Sequence, residues 1–314
     1  MSAERLGRIL IVANPAACSG KGEGAVIFAT RFFSAFNSAA NTCEVRLTEN
    51  PHDAERMAAA ADNYDTIIAL GGDGVIHEVV NGLMRLPISL RPVLGIIPMG
   101  FGNDIARTLG MTRNDPEHSI AELFEAQERI VDLGVVNGTY FVQTLSFGLD
   151  AAIALDATDR STIRSRQAES MPFVTSGLKL LTTSLRGWPY RASIDDERVE
   201  GTGVAFAVQN GITYGGGFRI CPDARPCDGM LDICMNVDKP SLPHSFALFG
   251  LARFGRHTHS KKLIVRRARH ILLEFLGEQQ PPCQIDGEYF ADTHYDIRVE
   301  PASLRVLVSS NCVW

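Results

Sequence analysis

Two strand, turn and helix units follow one another between Asp65 and Leu109, DTIIALGGDGVIHEVVNGLMRLPISLRPVLGIIPMGFGNDIARTL, and few folds accept that pattern. Thr66-Ile67-Ile68-Ala69-Leu70 is continuously apolar and partly β-branched, as a strand covered on both faces of a parallel sheet must be. Gly71-Gly72-Asp73-Gly74 interrupts it. Its three glycines are expected to take positive φ angles, so that backbone N–H groups turn toward a phosphate. Ile76, Val79, Val80 and Leu83 then share one helical face, and the free N–H groups of the first turn add to the anion site. The second unit repeats the plan with Val93 to Ile97, Pro98-Met99-Gly100-Phe101-Gly102, and a helix opened by Asn103-Asp104. Two such turns at neighbouring strand ends would face one ligand.

The rest of the chain extends this rhythm and then abandons it. Arg8 to Ala13 reads as a strand, followed by a loop from Asn14 to Gly22 that lacks Walker A spacing, so Lys21 reads as a solvated loop residue. Ala25 to Phe36 and Pro51 to Ala61 read as helices around a strand from Cys43 to Thr48, and Pro116 to Ala126 as a further helix. Beyond Arg129 to Gly134 the alternation stops, which places a domain boundary near residue 134. Asn137-Gly138 lies between two short β-rich runs, a strong hairpin signal. Strands are expected at Tyr190 to Ile194, Val199 to Asn210, Met230 to Val237, Leu263 to Phe275, Gln284 to Phe290 and Tyr295 to Glu300. Two helices, Pro172 to Leu185 and Ser241 to Phe254, interrupt them. Residues 135–300 are therefore expected to form an antiparallel β-sandwich.

Composition narrows the classes. A formal charge of −6 argues against a nucleic-acid binder. Every apolar run ends well short of the roughly 20 residues a membrane span needs. The amino terminus goes from a short charged lead into a strand, without a secretory signal. Seven cysteines without a close CxxC pair suit neither a disulfide framework nor a zinc site, so free, buried thiols of a cytoplasmic protein are expected.

The turn GGDG followed by HEVVNGL, and the later Pro98-x-Gly100-x-Gly102-Asn103-Asp104-x-Ala106-Arg107, resemble the lipid kinase family that contains diacylglycerol and sphingosine kinases, especially its bacterial soluble branch. Asn14-Pro15, Gly215-Gly216-Gly217-Phe218, the run PDARPCDGMLD from Pro222 to Asp232, and Asp286-Gly287-Glu288 extend the resemblance over nearly the whole chain. It implies an α/β plus all-β architecture. Residues 1–134 would be a nucleotide-binding catalytic domain of the phosphofructokinase and NAD kinase kind, with 301–314 returning to it. Residues 135–300 would be a β-sandwich substrate domain, with the active site in the cleft between the two.

The activity implied is transfer of the ATP γ-phosphate to a lipid hydroxyl, with magnesium. Such transfer needs a phosphate cradle, a divalent cation and an acceptor for the hydroxyl proton. The resemblance gives the nucleotide to Asn14, Pro15, Thr48, Gly71, Gly72, Gly74, Gly100, Asn103 and Asp104. It gives magnesium to Asp73, Asp104 and Asp228, and catalysis to Asp73, to Glu288 as general base and to Asp286 as the group that orients it. Asp73 reads equally as a turn former, and Asp104 as a helix cap. Arg225 stands where some members have a hydroxyl ligand near Asp228.

Two positions depart from the family pattern. Val75 and Phe101 replace its usual hydroxyl residues, at a cost of about 1.5–3 kcal/mol for each lost hydrogen bond to a charged acceptor. A kinase of a soluble metabolite, or a non-catalytic nucleotide- or lipid-binding relative, stays open on that ground. Between Lys239 and Leu273 there is no acidic residue, while Arg253, Arg256, Lys261, Lys262, Arg266, Arg267 and Arg269 are basic. That run is either a solvated face or a contact with a transient anionic membrane surface. The helix Pro172 to Leu185 would dip into that interface or roof an apolar cleft. The expected location is cytoplasmic and peripheral at the membrane, and a homodimer is possible.

Overall fold

The computed structural model describes residues 6–18, 20–35, 42–163 and 171–314. Ser19 and Phe36, within the expected first loop and first helix, lie outside them. The chain divides into two compact units, Met1–Val131 with Ala302–Trp314, and Asp132–Pro301.

The first unit alternates strand and helix. Its elements are β1 (Ile9–Ala13), α1 (Lys21–Ser34), β2 (Cys43–Leu47), α2 (Asp53–Ala59), β3 (Thr66–Gly71), α3 (Asp73–Met84), β4 (Val93–Pro98), α4 (Asp104–Thr108) and α5 (Pro116–Glu125). The strands pair in parallel in the order β2, β1, β3, β4, with Ala13 opposite both Leu47 and Leu70, and Leu70 opposite Ile97. Ile67 to Leu70 are fully buried, as their unbroken apolar run requires when helices cover both faces. Because the chain runs from β1 to β2 on one side and returns to β3 on the other, the strand order reverses beside β1. In open α/β sheets ligands bind at such a reversal, outside the carboxyl ends of the strands.

Two starts differ from expectation. Lys21 is the first residue of α1, not part of the loop. The cap of α2 lies at His52, and the carboxylate of Glu78 in α3 accepts the N–H groups of His52 (2.9 Å) and Ala54 (3.1 Å).

β5 (Gln127–Val136) carries the chain from the first unit into the second. It turns at Asn137-Gly138, both at positive φ, into β6 (Thr139–Phe141). There follow β7 (Thr144–Gly148), α6 (Leu149–Ile163), α7 (Met171–Thr183), β8 (Trp188–Ile194), β9 (Glu197–Gly203), β10 (Ala205–Gln209), β11 (Leu231–Met235) and α8 (Leu242–Ala252). The chain ends with β12 (Ile264–Ala268), β13 (His270–Phe275), β14 (Cys283–Ile285), β15 (Glu288–Phe290) and β16 (His294–Val308).

Antiparallel pairing joins β12, β11, β10, β7, β14 and β15 in one layer, and the first part of β16, β13, β8 and β9 in the other. Phe147, Tyr190, Phe206, Phe275 and Tyr295 fill the core they share. Two expected strands are each broken where the chain changes layers, as Val204 separates β9 from β10 and Arg269 separates β12 from β13, and a third, Gln284 to Phe290, is a hairpin of β14 and β15. A strand that turns such a corner keeps its β-rich sequence but not its pairing. Conversely β16 runs on well past the expected strand Tyr295 to Glu300, and its last part pairs in parallel with β4 at Val306 opposite Leu94. The helix α6 has no counterpart among the expected elements. Its run LDAAIALDATDRSTI shows little separation of apolar and polar faces, so periodicity does not reveal it.

Candidate functional site

The two glycine-rich turns of the first unit meet at the carboxyl ends of β3 and β4. The N–H of Met99 donates to the carbonyl of Gly71 at 2.7 Å. A Cβ built on Gly100 would stand 2.7 Å from the Cα of Gly72, and one on Gly71 would stand 2.8 Å from a Val75 methyl. Glycine is required here for close approach. Positive φ, the expected reason, is not the cause, because Gly71, Gly72, Gly74 and Gly100 all lie outside that region. The strand runs on through Gly71 and the helix begins at Asp73, which leaves only Gly72 between them, in extended conformation. Val75 accordingly lies within α3, and Phe101 in the second turn is half-buried. The residue that does take positive φ is Asn103, the cap of α4 (φ 49).

Asp73 bridges the turns. Its carboxylate accepts the N–H groups of Asp104 and Ile105, each at 3.2 Å, and so caps α4 from α3. Asp104 itself is buried as the first helical residue, with Arg107 Nε 3.7 Å from its carboxylate, so capping comes from Asp73. The Asn103 amide donates to the carbonyl of Gly100 at 2.7 Å while its side-chain oxygen is buried without a partner among the described residues. Magnesium characteristically binds through one or two carboxylates together with waters and substrate phosphates. Asp73, a carboxylate held between the two turns, fits such a role. Among the described residues no group of three His, Cys, Asp or Glu stands close enough to hold a metal unaided.

The other nucleotide candidates of the first unit lie along the same sheet edge. Asn14 follows β1, takes the carbonyl of Leu70 with its N–H at 3.0 Å, and accepts the N–H of Ala16 on its side-chain oxygen at 2.9 Å across Pro15. Thr48 follows β2, and its N–H donates to the carbonyl of Ala13 at 2.9 Å. Strand order thus brings Asn14, Thr48, Gly71, Gly72, Asp73 and Gly100 to one edge.

In the second unit Asp286-Gly287 forms the tight turn between β14 and β15, with both residues at positive φ. The buried Asp286 carboxylate accepts the N–H groups of Val142 (2.8 Å), Gln143 (2.9 Å) and Thr144 (3.0 Å). These bonds fix the turn. Glu288, the first residue of β15, is exposed, and its carboxylate has no ion pair or hydrogen bond among the described residues. Asp228 pairs with Arg267 and accepts the N–H of Met230 at 3.2 Å, while Arg267 also reaches Asp232 at 3.7 Å. The Arg267 guanidinium already neutralises Asp228, which makes it a poorer magnesium ligand than Asp73.

The basic run divides into residues with partners and residues without an ion pair. Arg266 pairs with Glu197, Arg267 with Asp228, and Arg253 donates to the carbonyl of Gly217 at 2.5 Å beneath the ring of Phe218. Arg256, Lys261, Lys262 and Arg269 are exposed and have no ion pair among the described residues. Cysteines are free, and Cys221, Cys234 and Cys283 are buried as expected, whereas Cys227 is exposed and Cys18, Cys43 and Cys312 are half-buried.

An apolar pocket of about 120 Å³ opens in the second unit between α6, α7, α8 and the layer of β10 and β11. Leu149, Ile153, Leu181, Leu248 and Phe249 line it. The helix α7 therefore roofs an apolar cleft, with Phe173 and Leu181 turned inward. Phe173, Tyr214, Phe218 and Phe249 form the aromatic cluster that holds this helical layer together. Asp150 is the one acidic lining residue, and burial pushes its carboxyl up to about 7 against the opposing influence of Tyr214 and nearby N–H groups. Nothing in the sequence singles out Asp150, since an acid at the start of a faintly patterned helix carries no motif.

A parallel sheet with glycine turns at the carboxyl ends of two neighbouring strands, followed in the chain by an antiparallel sandwich, is the NAD-kinase-like fold. The comparisons agree. Residues 8–136 match the diacylglycerol kinase catalytic domain, and residues 143–308 match the YegS C-terminal NAD kinase beta sandwich-like domain. The chain is 32% identical over 231 residues to a diacylglycerol kinase of Bacillus subtilis, covering 74% of this chain and 73% of that one. It is similar to the crystal structure of a diacylglycerol kinase from Bacillus anthracis, with TM-score 0.77, 25% identity, and 98% and 99% of the two chains covered. An NAD kinase from Archaeoglobus fulgidus, solved in complex with ATP, shares the fold at TM-score 0.54 and 15% identity over 97% and 95% of the chains. The chain belongs to the diacylglycerol kinase family and is an ATP-dependent lipid kinase. No helix among the described residues is long and apolar enough to cross a membrane.

Proposed function

We propose that the chain transfers the γ-phosphate of ATP to a hydroxyl of a diacylglycerol, a sphingoid or a similar lipid, as a cytoplasmic protein that visits the membrane surface. The observation that carries this reading is the contact of Gly72 with Gly100, which brings two helix-opening turns to the sheet edge where a triphosphate would lie. Asn14, Pro15, Thr48, Gly71, Gly72, Gly74, Gly100 and Asn103 would bind the nucleotide from the first unit. Asp73 and Asp104 would hold magnesium there, which supplies positive charge to the transferring phosphoryl oxygens.

In the second unit Glu288 would accept the proton of the attacking hydroxyl. The new oxygen–phosphorus bond forms as the bond to the β-phosphate oxygen breaks, and ADP leaves. A carboxylate is a weak base toward an alcohol, so most of the acceleration rests on position, and Asp286 supplies position by fixing the turn. The apolar pocket suits an aliphatic chain of the acceptor.

The test is incubation with γ-labelled ATP and magnesium over a panel of hydroxylated lipids and soluble alcohols, with label followed into each product. Label in lipid phosphates alone supports the reading. Label only in a soluble alcohol would replace it with the metabolite kinase.

A further inference from the structure

The helix α8 and its flanks, PSLPHSFALFGLARF from Pro240 to Phe254, are mostly apolar, yet much of the helix is exposed. Ser245, Leu248, Phe249 and Ala252 face the pocket. On the opposite face Pro243, Ala247, Gly250, Leu251 and Phe254 are exposed, Leu251 by 40% and Phe254 by 70%. At 3.6 residues per turn Pro243, Ala247, Gly250 and Leu251 fall within a stripe about 100° wide, and Phe254 follows in the turn after the helix. That stripe holds no polar side chain. A surface helix of a water-soluble domain carries its polar residues there, and a contiguous apolar face of this kind marks an interaction surface.

The flanks identify the partner. Lys239 precedes the helix, and Arg256, Lys261 and Lys262 follow it, all exposed and without an ion pair among the described residues. No acid occurs between Lys239 and Leu273, in a chain whose formal charge is −6. A second copy docked face to face would set these cations against their own counterparts, since a two-fold contact uses the same patch twice. An anionic lipid surface offers the opposite: hydrocarbon for the apolar stripe, with phosphates at its rim for the cations.

We propose that the outer face of α8, from Pro243 to Leu251, with Phe254 in the turn after it, seats the second unit in the headgroup layer of an anionic membrane, with Arg256, Lys261 and Lys262 on the lipid phosphates. The inference rests on the reading of the chain as a kinase of membrane lipids. It shifts the docking element away from α7, whose Phe173 and Leu181 are already used inside the unit, and from Arg266 and Arg267, which are paired. The same helix then walls the apolar pocket on its inner side and touches lipid on its outer side.

The experiment is co-sedimentation with vesicles of phosphatidylglycerol and phosphatidylcholine, without ATP. The proteins are the full chain, Leu251→Glu with Phe254→Glu, and Arg256→Ala with Lys261→Ala and Lys262→Ala. All of these positions are exposed, and thermal melts check that each variant is folded. Both variants should sediment at least about tenfold less on phosphatidylglycerol vesicles, the basic variant should regain nothing on pure phosphatidylcholine, and raised salt should weaken the unmutated chain. Phosphorylation of a short-chain, detergent-dispersed lipid should remain near the unmutated rate in both. Full sedimentation of the acidic variant would overturn the proposal. So would conversion of a dimer to a monomer by the acidic variant with vesicle binding unchanged, which would give the face to a second copy. If vesicle binding falls as expected while no lipid is phosphorylated by any of the proteins, docking stands and the kinase reading fails.

Discussion

The carboxylate of Asp73 accepts the N–H group of Ile105 at 3.2 Å, and with its other oxygen that of Asp104 at the same distance. The acid that the GGDG motif assigns to the cation is therefore also the cap that opens the next helix of the sheet edge. Two turns that sequence presents as repeats are one coupled structure.

Asp73→Ala should lower stability by about 0.5–2 kcal/mol through loss of that cap. Asp73→Asn keeps an accepting oxygen for one of the two N–H groups and should lose less. Urea unfolding of the three proteins measures both. An unchanged midpoint for Asp73→Ala would show that the cap contributes nothing.

Gly100→Ala should cost about 1–3 kcal/mol and weaken ATP binding, because its methyl would stand 2.7 Å from the Cα of Gly72 and force the turns apart. Gly24→Ala is the matched control. Gly24 lies within α1 with nothing near its absent Cβ, so alanine there should stabilise by about 0.5–1 kcal/mol. Thermal melts with and without ATP separate the two effects.

The pair Asp286 and Glu288 should divide cleanly between stability and turnover. Asp286→Ala leaves three buried N–H groups without their acceptor, at a cost of about 3 kcal/mol or more. Glu288→Gln changes an exposed side chain, so it should leave the melt unchanged and lower turnover about 100-fold or more, with ATP affinity held. Near-normal turnover in Glu288→Gln would remove it from the role of base.

Much of this was legible in the sequence for a physical reason. Asp65 to Leu109 is local: each strand, turn and helix there is set by neighbours in the chain, and a fully buried strand has to read as an unbroken apolar run. What the glycines do was not legible, because Gly72 and Gly100 are needed for a contact between two turns, not for their own φ angles. The same holds for Asp286, whose partners lie more than 140 residues away. The basic run reads alike whether its arginines are paired or free, and only the fold brings Glu197 to Arg266 and Asp228 to Arg267. The broken strands at Val204 and Arg269 keep β-rich sequence through the corner, so pattern cannot show the change of layer.

Stability should fall as pH rises through about 7, on account of Asp150. Burial raises its carboxyl above the usual carboxylate range, so its folded form favours the proton. Its contribution is fully present below the unfolded value and is lost as the pH passes the folded one. Asp150→Asn should therefore gain on the unmutated protein between about pH 4 and pH 8, by roughly 2–4 kcal/mol. Asp232, also raised by burial, to about 6, leaves a smaller slope in the variant. Denaturant unfolding across that range checks the sign, and parallel pH profiles would remove Asp150 as the cause.

The most direct measurement is the initial rate of label transfer from γ-labelled ATP to diacylglycerol in phosphatidylglycerol vesicles, by the unmutated chain and by Asp73→Asn, each with saturating magnesium. The account predicts steady accumulation of phosphatidic acid by the first. For Asp73→Asn it predicts a rate lower by about 100-fold or more in a protein that is still folded. Equal rates for the two proteins would contradict it, since the sheet edge joined by Asp73 would then have no part in the transfer.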